Sequence, residues 1–292
     1  MAAPVQGTLF KYGPASIQSA FMTGSGAKGR CHAVFVPGLT DGLMSHTYFK
    51  PLGEALEAQQ WSLVQPQLSS SYGGWGTASL DQDASELLLL SRHLSSHYDS
   101  KGIVLFGHST GCQDAVRYVQ RFASDRQAAP LLGVVLQAPV SDREFMNMLP
   151  KMREILVKAE KMVADGKGED VVERDIFGPT APVFLSARRM VALMQKNGDD
   201  DMFSSDLTDE ELSALLGHLA PLPTLVIASG ADEYVPPGVD RAGLGERIAA
   251  AIGPSATSAC IPGGLHALVG KEEEAVEHIS SFCFDVAAVG SE

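Results

Sequence analysis

No uninterrupted apolar stretch in these 292 residues is long enough to cross a bilayer, which takes about 20 predominantly apolar residues in a row. Basic residues are scarce as well. The 22 Lys and Arg stand against 35 Asp and Glu, for a formal net charge of −13. Nucleic acids and anionic membranes are held by clustered Lys and Arg, so this balance argues against both and makes a neutral or cationic small molecule the easier partner. Cysteine is rare. Cys31, Cys112, Cys260 and Cys283 are far apart, lie in apolar stretches and include no C-x-x-C pair. That spacing excludes the common zinc and redox motifs and predicts reduced core residues in a cytoplasmic protein. The opening residues MAAPVQGTLFKYGPASIQSAF have no basic region followed by an apolar core, so no secretory signal is expected. Repeats and low-complexity tracts are also missing. With 45% hydrophobic and 20% charged residues, the chain is expected to form one globular α/β domain over residues 1–292.

What is present is an alternation. Strand-like runs CHAVFVPG, WSLVQPQL, GIVLFG and LLGVVLQAP are separated by helical patterns at 48–59, 79–95 and 109–124. After an interruption the alternation resumes with PTLVIASG, a helix near 238–251, TSACIPGG and a last helix near 271–283. Strands apolar along their whole length and separated by helices predict a mostly parallel, doubly wound sheet covered on both faces, in the order of an α/β hydrolase. The interruption, about residues 142–218, is helical and highly charged. It falls after the sixth strand, where such hydrolases carry a cap, and is expected to be a cap insertion within the single domain.

In VLFGHSTGCQDAV, residues 104–116, an apolar strand stops at Ser109 between Gly107 and Gly111, and Cys112, Ala115, Val116, Val119 and Phe122 then recur at helical spacing. A strand passing straight into a helix forces the central residue into a strained backbone, and glycines two positions either side remove the clash. Gly-x-Ser-x-Gly in that setting is a nucleophile elbow. A serine hydroxyl needs a base, and the base needs an orienting acid; in this fold the chain order is Ser, then Asp or Glu, then His. Of eight histidines, His32, His46, His93 and His97 precede the serine, His108 lies within the elbow and His218 precedes the expected acid, which leaves His266 and His278. His278 lies on a Glu-rich helix face, a solvated setting, whereas His266 follows a strand in the glycine-rich loop IPGGLHALV. His266 is the expected base. The acid belongs in ADEYVPP, where Asp232 and Glu233 both qualify. Asp232 is favoured because many α/β hydrolases place an aspartate three residues before a Val-Pro pair, here Val235-Pro236. The oxyanion donors are expected at the Thr110 amide and, from the loop VPGLTDGL, at the Leu39 amide. No cofactor and no metal are required.

Six stretches in order, PGLTDGL (37–43), SSSYGGWGTASLDQD (69–83), GHSTGCQD (107–114), QAPVSDRE (137–144), NGDDDMFSSDLTDEEL (197–212) and SGADEYVP (229–236), resemble the family of fungal fusarinine C siderophore esterases, over about residues 8–285. The resemblance implies a cytosolic serine esterase acting through Ser109, Asp232 and His266, with a hydroxamate siderophore ester as a possible substrate. Thr40, Asp41, Tyr72 and Trp75, in the first two stretches, are candidate substrate-binding residues; for Trp75 an anchoring role in the core is an equal alternative. Ser79 with Gln82 predicts a capping box. The run Asp199, Asp200, Asp201 with Asp206, Asp209 and Glu210 has no EF-hand spacing and is expected to cap helices and face solvent. Arg188 and Arg189 are expected either to hold a substrate oxygen or to pair with that run. A thioesterase or lipase-like acyl hydrolase, an acyltransferase and a non-catalytic binding protein are the alternatives. Epoxide hydrolases and dehalogenases use an aspartate where Ser109 stands.

Overall fold

Helix and strand alternate as expected. The structure, a computed structural model, describes residues 4–174, 176, 178 and 183–289. Its strands are β1 (Gly7–Lys11), β2 (Ser19–Thr23), β3 (Cys31–Val36), β4 (Trp61–Pro66), β5 (Gly102–His108), β6 (Leu131–Gln137), β7 (Val171–Arg174), β8 (Phe184–Ser186), β9 (Thr224–Ser229) and β10 (Ala256–Ile261). Eight of them form one sheet in the order β1-β2-β4-β3-β5-β6-β9-β10. Strands β4, β3, β5, β6, β9 and β10 run parallel, while β1 and β2 pair antiparallel and β2 joins β4 antiparallel. This is the α/β-hydrolase topology.

Side chains alternate across the pleat and build two cores. Ala33, Phe35, Val104, Phe106, Val135, Leu225 and Ile227 pack on one face under α1 (Phe49–Glu57) and α9 (Glu272–Val289). Val34, Val36, Ile103, Leu105, Val134, Leu136 and Val226 pack on the other, under α2 (Leu80–Tyr98), α3 (Gly111–Phe122) and α8 (Arg241–Ile252). A strand enclosed on both faces has no polar position to spare, and all of β5 is buried. The last helix outruns its expected end at 283. Cys112 and Cys283 are buried, Cys31 and Cys260 only half-buried, and all four thiols are free. No described helix is long and apolar enough to cross a membrane.

Between β6 and β9 the chain forms α4 (Asp142–Asn147), α5 (Met152–Ala164), the antiparallel pair β7-β8, α6 (Ala187–Met194) and α7 (Asp209–Leu216). Met146, Met152, Ala159, Val172, Leu185, Met190 and Leu193 give this segment a core of its own. Thr208 caps α7 with a full capping box to Glu211. Ser79 caps α2 by accepting from the Gln82 N–H at 3.3 Å, without the reciprocal bond of a box among the described residues.

Two residues of the acidic run depart from expectation, while Asp209 and Glu210 stand exposed in the first turn of α7 as expected. Asp200 and Asp201 are buried, at 1% and 2% exposure. Asp200 accepts two bonds from Arg189 Nη1 at 2.8 and 2.7 Å, and Asp201 lies 3.0 Å from Arg143 Nε. A charge run reads as solvated only if nothing folds over it; here two guanidinium groups from α4 and α6 cover it. Arg189 therefore pairs with the run, whereas Arg188 pairs with Glu169 at the surface. Arg189 Nε also donates to the Trp75 carbonyl at 3.1 Å, tying the inserted segment to the loop before α2. Arg189→Ala leaves the Asp200 carboxylate buried without its partner, and we expect it to destabilise the fold by about 3–5 kcal/mol in chemical denaturation. A loss below about 1 kcal/mol would show that the pair carries no such load.

Candidate active site

Ser109 sits at φ 55° between β5 and α3, in the left-handed region that side chains avoid. The turn closes because its neighbours are bare. A Cβ on Gly107 would lie 2.5 Å from the Gly111 carbonyl oxygen, and one on Gly111 would lie 2.1 Å from that of Val36. The elbow expected from Gly-x-Ser-x-Gly is thus present in the backbone.

The loop after β10 carries His266, and the loop after β9 carries Asp232. His266 Nδ1 donates to Asp232 Oδ2 at 2.8 Å, with both groups buried. Asp232 and Glu233 reach different atoms of His266: Glu233 Oε2 accepts its backbone N–H at 2.8 Å. Asp232 is held in turn, its Oδ1 accepting from the Tyr234 N–H at 3.0 Å and its carbonyl from Arg241 at 2.8 and 3.0 Å. Gln137, at the end of β6, donates to the His266 carbonyl at 3.0 Å. His266 Nε2 and Ser109 Oγ have no hydrogen-bond partner among the described residues, and both residues line one cavity. Without substrate such bonds are often open.

That cavity measures about 470 Å³ and is lined by Leu39, Thr40, Asp41 and His108 on one side, Val140, Asp142 and Phe145 on another, and Tyr234 and Ala267 beside Ser109 and His266. Tyr234 packs 4.4 Å from the His266 ring and 4.6 Å from Phe145, centroid to centroid. No group among the described residues accepts from the backbone N–H of Leu39 or of Thr110, the two donors expected for an oxyanion. Of the candidate substrate-binding residues, Thr40 and Asp41 line the cavity. Tyr72 and Trp75 do not. Trp75 is buried in the core of the inserted segment, the anchoring alternative, and Tyr72 covers Gly42 at the surface, its hydroxyl accepting from the Leu43 N–H at 3.2 Å. His278 remains on α9.

Sequence reasoning passed over several groups. Asp142 is buried and accepts from the Thr110 hydroxyl at 3.0 and 3.1 Å and from Gln113 at 2.9 Å; burial lifts its carboxyl to about 7. Gln137 and Tyr234 brace His266, and so does Glu233, the alternative candidate acid, in a role not foreseen for it. The ligand-type atoms of Asp41, His46 and His108 lie within 4.8 Å of one another, but Asp41 and His108 already bond to each other at 2.8 Å. A motif marking the residue before the nucleophile would have drawn attention to His108. The partners of Asp142 arise only when α4 folds onto α3.

A family model described as a protein of unknown function, DUF1749, matches residues 1–288. The chain belongs to this family. It is 30% identical over 352 residues, covering 97% of this chain and 93% of the relative, to an esterase of Emericella nidulans. It is 31% identical over 256 residues to the fusarinine C esterase sidJ of Aspergillus fumigatus, covering 71% of this chain and 72% of that one. Among solved structures, the siderophore hydrolase EstB of Aspergillus fumigatus superposes with a TM-score of 0.76 at 26% identity, over 97% of this chain and 98% of EstB.

Burial pushes the His266 imidazole below its ordinary value of 6.5, the hydrogen bond to Asp232 opposing and His108 reinforcing the shift. A base must be neutral, so a lowered value keeps it competent to lower pH. The acid limb of kcat/KM against pH should therefore have its midpoint below 6.5; a midpoint above 7 would contradict this placement of His266.

Proposed function

We propose that the protein is a serine esterase in which Ser109, His266 and Asp232 act together on a carboxylic ester. The observation that carries this reading is the 2.8 Å bond from His266 Nδ1 to Asp232 Oδ2 at the edge of a cavity that also holds Ser109 in its strained turn. His266 Nε2 takes the Ser109 proton as Oγ attacks the ester carbonyl, and Asp232 stabilises the imidazolium and fixes its tautomer. The Leu39 and Thr110 amides bind the oxyanion. The alcohol leaves with the proton returned by His266, and water, deprotonated by the same imidazole, releases the acid and frees Ser109.

The named activities of the relatives, an esterase, a fusarinine C esterase and a siderophore hydrolase, support a small-molecule ester, with a hydroxamate siderophore ester as the first candidate. The cavity lining supports it too: among the described residues it holds the carboxyl groups of Asp41 and Asp142 and no Lys or Arg, which suits a neutral or cationic substrate better than a phosphate-bearing thioester. Residues 142–218 serve as a cap within a single domain, contributing Asp142 and Phe145 to the cavity wall. Four free thiols are consistent with a reducing, cytoplasmic setting.

Ser109→Ala measured against wild type on p-nitrophenyl esters of rising chain length, with ferric fusarinine C alongside, tests the proposal. We expect the variant to lose turnover by about 10⁴-fold or more while staying folded. Turnover of the short esters without turnover of the siderophore would retain the serine mechanism and remove the substrate; turnover independent of Ser109 would remove the mechanism.

A further inference from the structure

The two unpaired donors beside Ser109 come from separate parts of the chain. Thr110 belongs to the elbow, whereas Leu39 belongs to a loop that must be held against it. One carboxylate oxygen spans the two. Asp41 Oδ2 accepts from the Gly38 N–H at 3.1 Å and from His108 Nδ1 at 2.8 Å. The Asp41 N–H returns a bond to the Gly38 carbonyl at 3.2 Å, closing the turn that contains Leu39. Thr40 within it has φ 68°, so the turn is not one that its side chains would choose unaided. A Cβ on Gly38 would lie 2.8 Å from Ser109 Cβ, which measures how tightly this turn is pressed onto the nucleophile.

We propose that Asp41 is a positioning residue for the oxyanion donors, locking the Leu39 turn to the residue that precedes Ser109; this rests on the serine-esterase reading above. A donor lowers the barrier only if it already points at the place where charge develops, because ordering it during the reaction costs what the bond returns. A carboxylate beside a developing oxyanion is otherwise an odd choice, since like charges repel. Its charge is tied down here: burial disfavours the ionised form, but His108 and the Gly38 N–H hold the Asp41 carboxyl down to about 2. Asp41 remains an acceptor for both donors across the pH range in which His266 is neutral. On the far side, Asp142 holds the Thr110 hydroxyl, so each half of the hole has its own carboxylate.

The test uses Asp41→Ala and Asp41→Asn in the full chain, with Ser109→Ala as control, on p-nitrophenyl butyrate and with phenylboronic acid as a tetrahedral transition-state mimic. Asp41→Ala should lower kcat on the order of 10- to 100-fold with KM changed less than about 3-fold, and should weaken boronate binding by a similar factor. Asp41→Asn, whose amide oxygen can still accept from Gly38 or His108, should recover most of that loss. Both variants are checked for wild-type thermal unfolding. If Asp41→Ala does not fold, Asp41→Asn against wild type decides, with near wild-type kcat and boronate affinity expected. An unchanged kcat and boronate affinity in Asp41→Ala, a change confined to KM, or no recovery in Asp41→Asn would overturn the proposal. Ester turnover that survives Ser109→Ala would overturn the esterase reading itself, and is distinguishable because it does not depend on Asp41.

Discussion

Gly38, Gly107 and Gly111 let main chain from three places in the sequence pass closer than any side chain allows, and the functional atoms are all referenced to that contact. A methyl group at any of the three would meet an atom at 2.1–2.8 Å. Protein interiors are packed too densely to yield by that much, so the end of β3, the loop after it and the start of α3 behave as one body. Ser109, Leu39 and Thr110 keep their relative positions without help from substrate. Asp232 and His266 enter from the ends of β9 and β10, beyond β6, and their loops are braced by Glu233, Gln137 and Arg241.

The parts of the site that are legible in the sequence are those whose physics is local or ordered along the chain. A strained turn needs bare neighbours, which Gly107 and Gly111 advertise, and the order of serine, acid and base leaves few histidines to choose from. The central strands were legible because they are largely apolar along their length, whereas the short, partly exposed β1, β7 and β8 carry no such run. What stayed hidden depends on contacts made at a distance. Nothing near Asp142 in the sequence says that Thr110 and Gln113 will meet it, and although the register to Val235-Pro236 favoured Asp232 over Glu233, which atom of His266 each reaches appears only in the fold. Asp200 and Asp201 misled for the same reason. Their neighbours are polar and charged, as on a solvated face, but Arg143 and Arg189 fold over them.

The joint between the inserted segment and the main body is polar where most domain cores are greasy. Asp83, Asp114, Asp142 and Asp200 surround Arg189, all of them buried. One guanidinium cannot balance four carboxylates in a medium that solvates charge poorly. Burial accordingly raises Asp83 and Asp142 to about 7 and Asp114 well above the usual carboxylate range. Asp142 still accepts from the Thr110 hydroxyl and from Gln113 within this crowded set of acids.

Ser109 at φ 55° also sets two kinds of selection against each other. For folding alone glycine is the better residue there, since it adopts the left-handed conformation without the cost, on the order of 1 kcal/mol, that a Cβ incurs. Drift toward a more stable chain would therefore press against the hydroxyl at this position. A serine at this position stands against the gradient of stability, at a cost that the fold alone does not repay.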